Sequence, residues 1–263
     1  MAIYTSFEMV EDCKAGLRRG WVYFVSEFEP VIAALAAHYC AERYASKPST
    51  DFLRDLHTGE FFQSVRPATQ REFAIELRQA VLALLEAACP TPAPDIELSL
   101  EDVTTALAPL TPVEKQMAWL ETMKYEPAHA ALTMNAGTDT VERLREKVEE
   151  LLRQSLDRWK RGLLRENGLQ LRAEAAARSS QDCVPVKLFL DILDGRVTWS
   201  NRQNIDRHLA SCWHCIDRFC RTREIDRLVK DTPPLTAEGT DAHLEKLGFP
   251  KEKAPFWKRI LAR

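Results

Sequence analysis

Cys183, His208, Cys212 and Cys215 combine metal-binding side chains with metal-binding spacing. His208 and Cys212 stand four apart, so on one helix they project from the same face, one turn above the other. Cys215 follows after two residues, the interval at which a tight turn directs two thiolates at one metal. Structural zinc takes four ligands in a tetrahedron. The best fourth donor is Cys183, just ahead of Pro185, where a helix can begin with proline in its first turn. The result is a closed three-cysteine, one-histidine site with no open position for water or substrate. His214 and Cys220 are rival donors. Both rank lower, because His214 sits inside the tight Cys-x-x-Cys turn and Cys220 lies off the ligand face.

The segments between these donors must position them, and both read as helices. Leu188, Leu190, Ile192 and Leu193 lie in an apolar run that stops at Asp194 and Gly195. Ser200-Asn-Arg-Gln203 reads as a capping box that opens a second helix carrying Ile205, His208, Leu209 and Cys212. A third helix from about Cys215 carries Ile216, Phe219, Ile225 and Leu228. Short helices bury little surface alone, so a metal cross-link between them would stabilise the module. The pattern Cys183-x24-His208-x3-Cys212-x2-Cys215, the Leu-Asp-Gly turn and the His-Leu-Ala-x-Cys run resemble the zinc-binding anti-sigma domain of bacteria over about residues 180–230. That resemblance implies a small zinc-bound helical module and a sigma factor as partner.

Residues 98–166 form a second helical block. Thr111 followed by Pro112 is a strong helix start, with the threonine as cap and the proline at the first position. A short helix with Trp119, Leu120 and Met123 follows, then Glu126 to Met134, a turn with Asn135 and Gly137, and a long helix from Asp139 or Thr140. Helix, glycine-bearing turn and longer helix make a helix-turn-helix pattern. Leu110-Thr111-Pro112, Ala131, Met134 and the Thr140-Val141 pair resemble region 4 of the extracytoplasmic-function sigma factors. The resemblance implies a recognition helix on duplex promoter DNA, with Thr140, Arg143, Arg145 and Lys147 as its candidate contacts. From Asp139 to Glu166 there are eight Lys/Arg against seven Asp/Glu, a net of +1, and Glu142 and Glu146 would repel a phosphate backbone. A DNA reader and a solvated helix laced with Glu–Arg pairs both fit that composition.

Over residues 20–45, Trp21, Phe24, Phe28, Val31, Ile32, Leu35 and Tyr39 fall on one apolar face. Ser49-Thr50-Asp51 can cap a segment with Phe52, Leu53, Leu56, Phe61 and Phe62. Thr69-Gln-Arg-Glu72 is a capping box before a long helix through Ala88. Asp55-Leu56, Phe61-Phe62, Glu72-Phe73 and Leu77 bear a fainter resemblance to sigma region 2, the polymerase-binding and promoter-melting domain. Glu76 departs from the tryptophan expected there, and Arg78-Gln-Ala-Val lacks the basic and aromatic partners that grip a melted strand. Cys89-Pro-Thr-Pro-Ala-Pro reads as a stiff linker and Asp231-Thr-Pro-Pro as another. A short helix is expected near Asp241 to Leu247. The basic, amphipathic end from Phe256 to Arg263 suits a membrane surface or polymerase, and docking on its own protein is preferred.

The chain has 263 residues, 45% apolar and 29% charged, with only nine glycines, which describes a globular, mainly helical protein. A net charge of −3 leaves DNA binding to local patches. Seven cysteines without a secretory signal fit a reducing cytoplasm. The runs Val31 to Ala37 and Ala80 to Leu85 are too short to span a bilayer. No phosphate loop, His-Glu-x-x-His or nucleophile motif points to an enzyme or a small-molecule substrate. The expectation is an all-α chain with parts at 1–90, 98–166, 180–230 and 231–263, the first two sigma-like and the third a zinc module. Its function would be that of a bacterial transcription regulator acting through RNA polymerase, a sigma factor or promoter DNA. The alternatives are a protein–protein adaptor that keeps the sigma-like fold without DNA binding, and a zinc-thiolate redox or metal sensor.

Overall fold

A computed structural model describes residues 4–39, 49–67, 69–88 and 98–250. Cys89 and the proline-rich stretch that follows it, and the basic end from Phe256 to Arg263, lie outside the described residues. Among the described residues there are fifteen α-helices and no strand, in agreement with the all-α expectation. In chain order they are α1 (Ser6–Lys14), α2 (Arg18–Tyr39), α3 (Ser49–Thr58), α4 (Phe61–Ser64), α5 (Gln70–Ala88), α6 (Leu100–Ala106), α7 (Pro112–Thr122), α8 (Pro127–Met134), α9 (Thr138–Ser155), α10 (Arg158–Glu166), α11 (Gly168–Ala177), α12 (Val186–Leu193), α13 (Trp199–Leu209), α14 (Trp213–Asp231) and α15 (Ala237–Lys246). They divide into two compact units, Met1–Pro90 with Leu228–Arg263, and Thr91–Arg227.

The first unit is built on α2. Trp21, Phe24, Phe28, Val31, Ile32 and Leu35 recur at helical spacing and are all buried, so one face of α2 is continuous core. Aromatic rings fill the space beside it. Phe62 meets Trp21 edge-on at 5.0 Å and Phe24 at 5.1 Å, and Phe73 of α5 meets Phe28 at 4.9 Å. Gly20 admits α1, because a Cβ there would stand 2.7 Å from the Asp12 Cβ. By length and mean hydropathy α2 would reach across a bilayer, which the short apolar runs in the sequence did not suggest. Ten of its residues are nevertheless buried inside the unit, as a core helix requires. The C-terminal segment is more than a tail. α15 and the residues just before it dock on α2 and α3 through the Arg18–Asp241 ion pair at 2.5 Å, a Leu235 N–H to Ser26 carbonyl bond of 2.9 Å, and a Thr50–His243 hydrogen bond of 3.1 Å.

Local signals fix several helix starts. Thr69 and Glu72 form the reciprocal capping box ahead of the α5 core, with bonds of 3.1 and 3.2 Å. Thr111 and Glu114 do the same for α7, with Pro112 at the first position. In the second unit α8 ends at Asn135, which takes the left-handed conformation at φ 52°, and Gly137 caps α9. Ala131, Met134 and Val141 are buried around this short turn. Helix α11 approaches α7 closely at Gly168, where a Cβ would lie 2.6 Å from the Thr122 carbonyl oxygen. Phe73→Ala should cost about 3–5 kcal/mol in chemical denaturation, the range for emptying an aromatic core site. Phe7→Ala, at a ring 56% exposed, should change stability by no more than about 0.5 kcal/mol. Equal effects would place Phe73 outside the core.

Candidate metal centre

Cys183, His208, Cys212 and Cys215 come together in the second unit, and one ligand atom from each lies within 4.8 Å of every other. Three local structures present them. Cys183 closes a turn in which its N–H donates to the Ser180 carbonyl at 3.2 Å, and Pro185 then caps α12 rather than entering its first turn. His208 occupies the last turn of α13. Cys212 falls one step beyond the sequence expectation, because α13 ends at Leu209 and Cys212 belongs to the junction before α14. Its N–H still donates to the His208 carbonyl at 3.0 Å, so the helical turn that aligns the two side chains is preserved. Cys215 is in the first turn of α14 and fully buried. The start of α13 also differs from the expected box at Ser200. Thr198 is the cap, accepting from Asn201 N–H at 3.3 Å, and the helix begins at Trp199.

The spacing of the donors suits one tetrahedral ion. Two sulfurs bound at about 2.3 Å to a tetrahedral metal stand roughly 3.8 Å apart. The Sγ atoms of Cys183 and Cys212 are 3.9 Å apart, and His208 Nε2 lies 3.1 Å from Cys215 Sγ. All four are therefore positioned as a metal-binding cluster, with the cysteines unpaired in disulfides. Each thiol also accepts a backbone N–H: Cys183 from Ser180 at 3.4 Å, Cys212 from Cys215, and Cys215 from Val184. Such donors stabilise thiolate over thiol. The hydrogen bond between Cys212 and Cys215 pulls the first below the ordinary thiol range, aided by His208, and pushes the second above it, where burial adds to the rise. Of the rival donors, Cys220 is buried off the cluster with its thiol raised to about 12 by desolvation, and the His214 ring is held down by burial.

Helix α14 seats the cluster on the preceding helical block through residues that carry no motif. Trp213, inside the Cys-x-x-Cys, donates its indole N–H to Thr104 at 2.8 Å and packs on Trp119 at 5.4 Å. Trp119 donates to Asp217 at 2.9 Å, and Asp217 also takes Arg172 at 3.2 Å and Arg221. Arg223 reaches Gln116 at 2.8 Å and the Met134 carbonyl at the end of α8. Glu224, with no exposure at all, pairs with His129 of α8 at 2.7 Å. The sequence offers one hint of this seat, Trp213 followed by Arg218, Arg221 and Arg223; the acceptors have none.

The four candidate DNA contacts all lie on α9, but with different freedom. Thr140 and Arg143 are exposed, and Arg143 reaches only its own helix, at Asp139 O and Thr140 Oγ1, both 3.3 Å. Arg145 is turned onto α7, 2.5 Å from Glu121, and also meets Glu142 at 3.4 Å. Lys147 pairs with Glu114 at 2.5 Å. Two of the three cations thus help hold α9 on α7.

Compared with protein-family models, curated proteins and solved structures, the chain matches none.

Cys212→Ser should abolish tight metal binding, measured by metal content after gel filtration. It should also raise amide hydrogen exchange over residues 183–215 while leaving α5 protected. Unchanged exchange there would mean that the cluster does not depend on a metal for its order.

Proposed function

We propose that this chain is a bacterial, cytoplasmic transcription regulator in which a zinc-bound, anti-sigma-like module is docked in cis on a sigma-region-4-like block. Zinc is the metal of choice for three thiolates and one imidazole in a closed tetrahedron, and its role here is to staple short helices. The observation that carries the reading is the seat itself. Helix α14 grips α7 and the end of α8 through Trp213, Asp217 and Arg223, so the module would govern whatever the helix–turn–helix segment presents to DNA or polymerase. The reading is supported too by the Thr111-Pro112 start, the Asn135–Gly137 turn and the exposed Thr140 and Arg143.

One specific observation favours a second reading, an adaptor that has the fold without DNA binding. Arg145 and Lys147 are already engaged by Glu121 and Glu114, and Glu142, Glu146, Glu149 and Glu150 are exposed on the same helix. Affinity capture from the native cell separates regulator from adaptor: RNA polymerase subunits or a sigma factor should co-purify stoichiometrically, and absence of both sinks the regulator reading. For duplex DNA the expected outcome is narrower. Arg143→Ala should weaken binding at all sequences and lower the salt slope by about one unit, the effect of one lost phosphate contact. No change in slope, with parent-like binding, would remove α9 from any DNA interface.

A further inference from the structure

Lys115 is out of place for a lysine. It projects from α7, is only 6% exposed, and the acceptor it finds is a carbonyl, Ala210 O. Among the described residues no carboxylate forms an ion pair with it, and its neighbour Glu114 is paired with Lys147. Burial of an ammonium without a counter-charge is costly, and desolvation holds the Lys115 pKa below the ordinary lysine range. The location of its one bond is informative. Ala210 is the C-cap of α13, two residues after His208 and two before Cys212. A divalent ion with three thiolates and a neutral imidazole carries one net negative charge. A helix C-terminus adds a partial negative charge of the same sign.

We infer that Lys115 is a positioning residue of the metal centre, supplying the counter-charge to an anionic metal–thiolate cluster while its hydrogen bond to Ala210 fixes the His208–Cys212 turn. The inference rests on the metal-centre reading and is independent of any role in transcription. Lys115 lies 68 positions ahead of the first ligand, so metal affinity in this protein is set partly by α7, outside the ligand-bearing segment. The ammonium gains the partner its burial demands, and the turn that carries His208 and Cys212 is held from α7.

The test uses the full chain and zinc alone, with affinity read by competition against a chromophoric chelator. Lys115→Met removes charge and hydrogen bond, Lys115→Gln keeps an amide donor for Ala210 and removes the charge, and Lys160→Met removes a half-exposed lysine of the same unit that pairs with Asp102 at 2.9 Å. Both Lys115 variants should lose about 10–100-fold in zinc affinity, the range for outer-shell partners of a metal site. Lys160→Met should bind like the parent. With cobalt(II) in place of zinc, the thiolate-to-metal charge-transfer band should move to longer wavelength in both Lys115 variants, because removing a nearby cation raises the thiolate donor levels. A structural role alone would leave that band where it is. Should Lys115→Met fail to fold by circular dichroism, the glutamine variant carries the test. Parent-like affinity in Lys115→Gln, an unmoved band, or an equal loss in Lys160→Met would overturn the inference. A parent protein that binds no zinc would instead overturn the metal-centre reading, and this one with it.

Discussion

Asp217 is a buried carboxylate, and a buried carboxylate must be satisfied in full or not be there. Trp119 of α7, Arg172 of α11 and Arg221 of its own helix all converge on it. The three donors arrive from three helices, so the position of α14 relative to α7 and α11 is fixed by one side chain. Removing a single donor would leave a buried carboxylate acceptor unsatisfied, a larger penalty than the net value of the bond itself. Because Cys215 lies in the same helix, half a turn before Asp217, this anchoring also decides where a metal ion can sit.

The metal centre and the helical block therefore support each other by different physics. Between Cys183 and Cys215 the segments are short, and α12 buries little beyond Phe189, which packs on Phe219 at 4.9 Å. Hydrophobic burial of that size does not order a module of this length alone, and a four-ligand ion would supply the missing cross-link. The block contributes the opposite resource, a preformed surface with polar partners in place: Thr104, Gln116 and the Met134 carbonyl. A ligand loop held from outside in this way has fewer alternative geometries, which favours a single coordination state over exchange among donors such as His214.

Charge placement on α9 follows the same economy of partners. Arg145 and Lys147 turn toward α7, where Glu121 and Glu114 stand, and Glu142, Glu146, Glu149 and Glu150 of the same helix are exposed. A helix whose cations brace its own fold has few left for a phosphate backbone. Arg143 is the exception, since its bonds are long and confined to its own turn.

What could be read from the sequence was whatever acts within a few residues. The Thr69–Glu72 and Thr111–Glu114 boxes, the stop at Gly195 with its φ of +67°, and the buried face of α2 depend on one to six turns of helix and are written in short windows. His208, Cys212 and Cys215 were legible as candidate donors for the same reason, because the His-x3-Cys-x2-Cys spacing is itself a statement about one turn, whereas Cys183 stands 29 positions from Cys212 and is brought to it by the fold. Even there, two adjacent caps competed, and Thr198 prevailed over Ser200 because α13 starts at Trp199, a choice that helix periodicity alone does not make. Tertiary structure decided the rest. Lys115 with Ala210, Trp119 with Asp217 and Arg145 with Glu121 join residues 95, 98 and 24 positions apart. Periodicity assigns a residue to a face, but which atom meets which depends on how helices cross and rotate against each other, and that is set only when the whole core packs.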